Sequence, residues 1–201
     1  YAMTSLQSSF GVNMLALSGG RPIQMGLKEI LEHFIAFREE VITRRTQFEL
    51  KKARDRAHIL VGLALAVANL DEMIALIRKA PDPQTAREQI LSRPWKVQDI
   101  EPLIRLIDEP GYPVVDATYH MSEAQAKAIL DLRLHRLTGL ECEKIAKELN
   151  DIVGEIKEFL HILSSRDRRL EISKAELLEV KELYATPRRT SIEEGEMNAD
   201  E

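Results

Sequence analysis

Five histidines, one cysteine and many carboxylates are the side chains here that could hold a metal, act as nucleophile or move a proton. Their spacing does not gather them. His33, His58, His120, His135 and His161 are scattered, and none stands with a cysteine or carboxylate at metal-ligand spacing. His58 and His161 fall near the seam of two helical segments and read as structural. Cys142, at the second turn of a helix, reads as packed rather than activated. Gly19-Gly20 is too short to cradle a phosphate. The carboxylates sit on solvated helix faces, with no constellation to shift their pKa values. The chain by itself is therefore expected to carry no catalytic residue, no cofactor site and no metal site. One charged pattern stands out: Arg38, Arg44, Arg45, Lys51, Lys52, Arg54 and Arg56 face only Glu39, Glu40, Glu49 and Asp55 on the same stretch.

The elements that would position these groups are long helices. Ile145, Leu149, Ile152, Ile156, Phe159, Leu163, Leu170, Leu177, Val180 and Tyr184 keep one register, interrupted by Arg166 and Ser173. Steps of four and three make a narrow stripe, the seam of a coiled coil. A partner stripe lies earlier, first as Leu27, Phe34, Val41 and Phe48, then as Leu50, Ala53, Ala57, Leu60, Ala64 and Val67. Residues 27–70 lack proline and carry one glycine, Gly62, so they read as an outbound helix of roughly 65 Å. Residues 141–184 read as the return helix, with a kink or short interruption at Ser164-Ser165. The fold class expected is all-α dominated: an antiparallel coiled-coil stalk, a small helical knob at its tip, and a remnant β-hairpin at the N-terminus.

That hairpin occupies 1–26, alternating around Phe10, Val12, Met14 and Ala16 and turning at Gly19-Gly20-Arg21-Pro22. The sequence begins on Tyr1 inside this segment, so the chain is expected to be a piece of a longer protein. The knob, 71–140, is marked by helix signals: Asp71 as a cap, Asp82 before Pro83, Asp99 as a third start, and capping boxes at Ser122/Gln125 and Thr138/Glu141. Glu109-Pro110-Gly111-Tyr112-Pro113 reads as a loop, and the charged tail 185–201 as disordered.

Two segments carry more apolar surface than one helical hairpin can bury. Leu60–Leu70 is apolar except for Gly62 and Asn69, and Ile129, Leu130, Leu132, Leu134, Leu137 and Leu140 point in too many directions for one stripe. Either the knob's own helices cover them, or part of this surface is a self-complementary twofold contact. The interface candidates are Leu63, Leu65, Ile129, Leu130, Leu134 and Leu137. If residue 70 pairs with 141, opposed positions sum to about 211. Residues 51–56 then face Glu155 and Glu158, whereas 42–45 face Arg166, Arg168 and Arg169. Arg44, Arg45, Arg168 and Arg169 would form an uncompensated belt, either a solvated face or a surface for nucleic-acid backbone.

Bulk composition agrees with long solvated helices, with 5% aromatic and 30% charged residues. A net charge of −5 gives no reason to expect tight nucleic-acid binding by the chain as a whole. A single cysteine excludes an internal disulfide and suits a reducing cytoplasm, and no apolar run is long enough to cross a bilayer.

Thr43-Arg44-Arg45-Thr46-Gln47-Phe48-Glu49-Leu50, continuing through Ala53-Arg54-Asp55-Arg56-Ala57-His58-Ile59-Leu60, resembles the stalk of bacterial DNA gyrase A subunits. So does Gln125-Ala126-Lys127-Ala128-Ile129-Leu130-Asp131-Leu132-Arg133-Leu134 with Leu137-Thr138-Gly139-Leu140-Glu141. Leu6 to Met14 is similar to the end of the tower domain of those subunits. The resemblance implies a type IIA topoisomerase of two A and two B subunits in the bacterial cytoplasm. Such an enzyme passes one duplex through another and introduces negative supercoils, with ATP and Mg²⁺ bound by the B subunits. It implies that this segment is the stalk and the exit-gate knob, which dimerises. The catalytic tyrosine would lie upstream, since Tyr1, Tyr112, Tyr119 and Tyr184 lack its context. The alternatives are the A subunit of topoisomerase IV, which decatenates, and a coiled-coil scaffold with no enzymatic parent.

Overall fold

The computed structural model describes residues 4–6, 8, 10–97, 100–107, 111–132 and 139–193. It falls into two units, one of Tyr1–Glu39 with Asp167–Glu201 and the other of Glu40–Arg166. One helix, α1 (Leu27–Ala68), contributes to both. The sequence explains its length: no proline interrupts 42 residues, and most positions are good helix formers.

In the first unit, β1 (Leu15–Ser18) and β2 (Arg21–Gln24) pair antiparallel from Leu15↔Gln24 to Ser18↔Arg21. Gly19 and Gly20, at φ 56° and 78°, form the two-residue connection, the mirror-image turn whose twist suits a hairpin. The hairpin is therefore shorter than expected, and Phe10 and Val12 are exposed outside it. Gly26 N–H donates to Glu29 Oε2 at 2.8 Å at the start of α1. Helix α7 (Arg166–Tyr184) supplies the other arm. Arg169 holds Glu39 at 3.0 Å with both side chains under a fifth exposed, and Arg38 pairs with Glu176. As one index rises the other falls, so the two segments run antiparallel. Ser173, which seemed to interrupt the stripe, is buried on it, whereas Leu177, Val180 and Tyr184 are exposed.

In the second unit, the buried line of α1 runs through Ile42, Thr46, Leu50, Ala53, Ala57 and Leu60. Its apolar part from Leu50 onward faces Leu149, Val153 and Ile156 of α6 (Gly139–Ser164) in one cluster. The early stripe read from spacing alone, Leu27-Phe34-Val41-Phe48, is not this line: Phe34 and Phe48 are exposed. Phe48 lies two positions, about 200° of rotation, from both Thr46 and Leu50, so it points away from the seam. Arg56 pairs with Glu148 at 2.6 Å rather than with Glu155 or Glu158. The residues expected to form one return helix form two, α6 and α7, parted at Ser165, whose N–H reaches His161 O at 3.0 Å.

The head of this unit is built from α2 (Leu70–Lys79), α3 (Pro83–Ser92), β3 (Trp95–Lys96), α4 (Glu101–Ile107), β4 (Thr118–Tyr119) and α5 (Glu123–Asp131). At the end of α1, Asn69 Nδ2 donates to Leu65 O at 2.9 Å and to Lys96 O at 3.3 Å, and α2 leaves at 91°. Asn69, not Asp71, is the residue preceding α2; Asp71 sits in its first turn. Asp82 caps α3 with Pro83 at its start, and Ser122 with Gln125 forms a full capping box on α5. Strands β3 and β4, unforeseen in the sequence, pair Trp95↔Tyr119 and Lys96↔Thr118. Trp95 Nε1 donates to Ile90 O at 3.0 Å within a core that includes Leu65, Met73, Ile90 and Ile129. The expected starts at Asp99 and Thr138, and the tail from 194 onward, lie outside the described residues. Among the described residues no single helix is long and apolar enough to cross a membrane.

Caps and turns generate two local predictions. Asp116 and Ala117, at φ 48° and 55°, turn the chain between Val115 and Thr118. An alanine there is strained in a region glycine enters freely. Ala117→Gly is expected to raise stability by about 1 kcal/mol in urea unfolding, after allowance for glycine's looser unfolded state. The Asp82 carboxylate accepts the Thr85 N–H at 2.9 Å and its hydroxyl at 2.8 Å, which holds its pKa below the ordinary carboxylate range. A depressed folded pKa means that the cap contributes fully above about pH 4 and is lost as pH falls through the folded value. Asp82→Asn should remove that part of the acid sensitivity, read as thermal midpoints from pH 7 down to pH 2.5.

Candidate functional site

The best-defined polar constellation is the joint where α5 meets α1. Gln125, fully buried, makes three side-chain bonds through its amide. Its Oε1 accepts the Ser122 N–H at 2.9 Å, and its Nε2 donates to His58 O at 2.7 Å and to Tyr119 Oη at 3.1 Å. Ser122 Oγ accepts the Gln125 N–H at 3.2 Å and shares a 2.6 Å hydrogen bond with His58 Nε2. Tyr112 stacks obliquely on His58 at 5.4 Å and lies 6.5 Å from Tyr119. Buried polar groups cost several kcal/mol when unpaired and little when satisfied, so this cluster specifies one docking of α5 on α1.

The joint closes because α1 is notched there. Gly62 has no Cβ, and one built on it would lie 2.7 Å from Gln125 Cβ and Cγ. Sequence spacing marks Ser122 and Gln125 as a local cap but gives no sign of the bridge to His58. The signal available was Gly62 itself, a glycine in a helix interior, which marks a close backbone approach.

The apolar candidates divide. Leu65 and Ile129, expected at the interface, are 0% exposed within one chain and belong to its own core. Leu63 and Leu130 are half-buried against that core. Leu134 and Leu137 lie outside the described residues. Leu140, at the start of α6, is 70% exposed. Nearby, Ala64, Val67, Ile100, Leu103, Cys142 and Ile145 line an open, mostly apolar cavity of about 270 Å³. Cys142 is half-buried on its wall, and among the described residues no group of three or more His, Cys, Asp or Glu could hold a metal.

The arginine belt is not uncompensated. Arg44 pairs with Glu40 one turn back, Arg168 with Glu171 at 3.1 Å, and Arg169 with Glu39 at 3.0 Å, while Arg45 is also engaged. Opposed-position arithmetic set 42–45 against 166–169 and so passed over Glu40 and Glu171 one turn along their own helices and Glu39 on the facing one.

The second unit defines a structural class: two long helices packed side by side with a small, mostly helical head. Residues 1–178 match the family described as the A subunit of DNA gyrase/topoisomerase IV, and the chain belongs to that family. It is 50% identical over 200 residues to the DNA gyrase A subunit of Rickettsia bellii, and 48% over 202 residues to that of Granulibacter bethesdensis. Against the DNA gyrase A subunit of Aeromonas salmonicida it is 44% identical over 201 residues. The matches take 100%, 100% and 96% of this chain, but it spans only 22% of the length of each relative.

Gln125→Ala would leave Ser122 N–H, His58 O and Tyr119 Oη without their shared partner. Unfolding in urea is expected to show a loss on the order of 3 kcal/mol, the scale of buried polar groups left unsatisfied. A loss under about 1 kcal/mol would mean that water or a neighbour replaces the amide.

Proposed function

We propose that this chain is the stalk and exit-gate part of a type IIA topoisomerase A subunit. In that reading the whole enzyme, two A and two B subunits in the bacterial cytoplasm, cleaves one duplex and passes another through it. It couples this to ATP on the B subunits, where the Mg²⁺ for cleavage is also held. The present segment supplies no reacting group. Tyr119 is 1% exposed and committed to Gln125, which speaks against a nucleophilic role, and the catalytic tyrosine is assigned to a part of the polypeptide outside this segment.

The observation that carries the gate assignment is apolar surface that one chain leaves uncovered at the head. Leu140 stands exposed on the first turn of α6, and an open apolar cavity lies on another face of that helix, toward α1 and α4. Such a surface suits a self-complementary contact with a second copy, and its modest extent suits a contact that separates. The identity to relatives named as DNA gyrase favours supercoiling over decatenation. A scaffold with no enzymatic parent is set aside by family membership.

Leu140→Cys in a Cys142→Ser background of the full-length protein tests this. Oxidation should link the two A subunits across the gate and stop strand passage, and reductant should restore it, with DNA cleavage unaffected throughout. Linked subunits that still supercoil at the normal rate would end the exit-gate assignment.

A further inference from the structure

We propose that the Gly62–Gln125 contact is the positioning element of the gate, setting the direction in which α5 delivers the head to a second copy; this rests on the gate reading above. Three observations carry it. Gly62 is the one glycine of α1, placed in the helix interior where glycine weakens a helix relative to alanine. The space it leaves is filled by Gln125 at its Cβ and Cγ, not by the far end of a flexible side chain. Gln125 cannot yield, because its amide is tied to Ser122 N–H, His58 O and Tyr119 Oη. Backbone, notch and amide together fix α5 in rotation and in height on α1.

That fixing matters most at the far end of α5. Ile129 is buried and Leu130 half-buried on its last turn, and α6 re-emerges at Gly139 with Leu140 exposed. From Gln125 to Asp131 the helix advances about 9 Å, so a small tilt at the notch displaces its end. In a twofold contact the same displacement occurs in both copies, so a misplaced α5 is felt twice. A gate that opens and re-closes needs each head to present the same surface every cycle, and a satisfied polar lock supplies that more sharply than apolar packing alone.

The test is a cycle in the full-length protein reconstituted as the complete enzyme: Gly62→Ala, Gln125→Gly and both together. Helix propensity alone makes Gly62→Ala favourable, whereas the wedge opposes closure, so the two effects differ in sign. The readout is exchange of labelled A subunits between dimers. Gly62→Ala is expected to speed exchange about tenfold where Gln125 is present and to have no effect where residue 125 is glycine. Ile156→Val, a change at a fully buried residue of α6 in the seam with α1, serves as control and should lower the thermal midpoint without speeding exchange. Equal effects of Gly62→Ala in both backgrounds would overturn the proposal, as would an Ile156→Val control that accelerates exchange to the same extent. If Leu140→Cys failed to crosslink dimers that keep Gly62 and Gln125, the gate reading itself would have failed instead.

Discussion

The distal end of α1 is apolar on nearly every side, and water will not tolerate it bare. Leu60, Val61, Leu65 and Ala66 are all buried, and no single partner helix could cover that many directions. The rest of the head answers this one constraint. Helix α2 turns away at 91° beyond Asn69, α3 and the β3–β4 pair carry Trp95 and Tyr119 inward, and α5 closes over Gly62. Apolar burial draws these pieces together without direction. The Gln125–His58–Ser122 bonds then select one arrangement among the compact ones.

Away from the head the arms depend on less. Their seam is narrow and partly polar: Thr46 is buried in line with Ile42 and Leu50 in one unit, and Ser173 is buried in the other. Within each unit, cross-helix ion pairs such as Arg169–Glu39 and Arg56–Glu148 add register more than energy, since partly exposed pairs contribute little. A seam of that kind holds a spacing while leaving the stronger cohesion to the head. This division suits the proposed gate, whose contact has to form repeatedly.

How much of this was legible in the sequence depended on the range of the interaction. Caps act over three residues, so Asp82-Pro83 and the Ser122/Gln125 box could be read directly. The seam was legible where apolar residues repeat at steps of three and four among charged ones, at Leu50, Ala53 and Ala57, but not further back. There Phe34 and Phe48 keep a heptad spacing on an exposed face, and spacing alone cannot say which stripe meets a partner. Leu65 and Ile129 were recognised as surplus apolar residues, yet whether a chain's own elements or another molecule cover them is a tertiary question. The Arg169–Glu39 pairing and the Gln125 bridge to His58 join residues more than sixty positions apart, and local pattern does not report such distances. Two-residue strands such as β3 and β4 leave no periodicity to detect.

The central claim is that α5 and the end of α1 form one cooperative body, locked through Gln125. Native-state hydrogen exchange measures this directly, amide by amide, in increasing denaturant. The account predicts that amides of 57–66 in α1 and of 126–131 in α5 converge on one opening reaction with a common free energy and denaturant dependence. Exchange of α5 through a separate, much easier opening while α1 stays protected would contradict it.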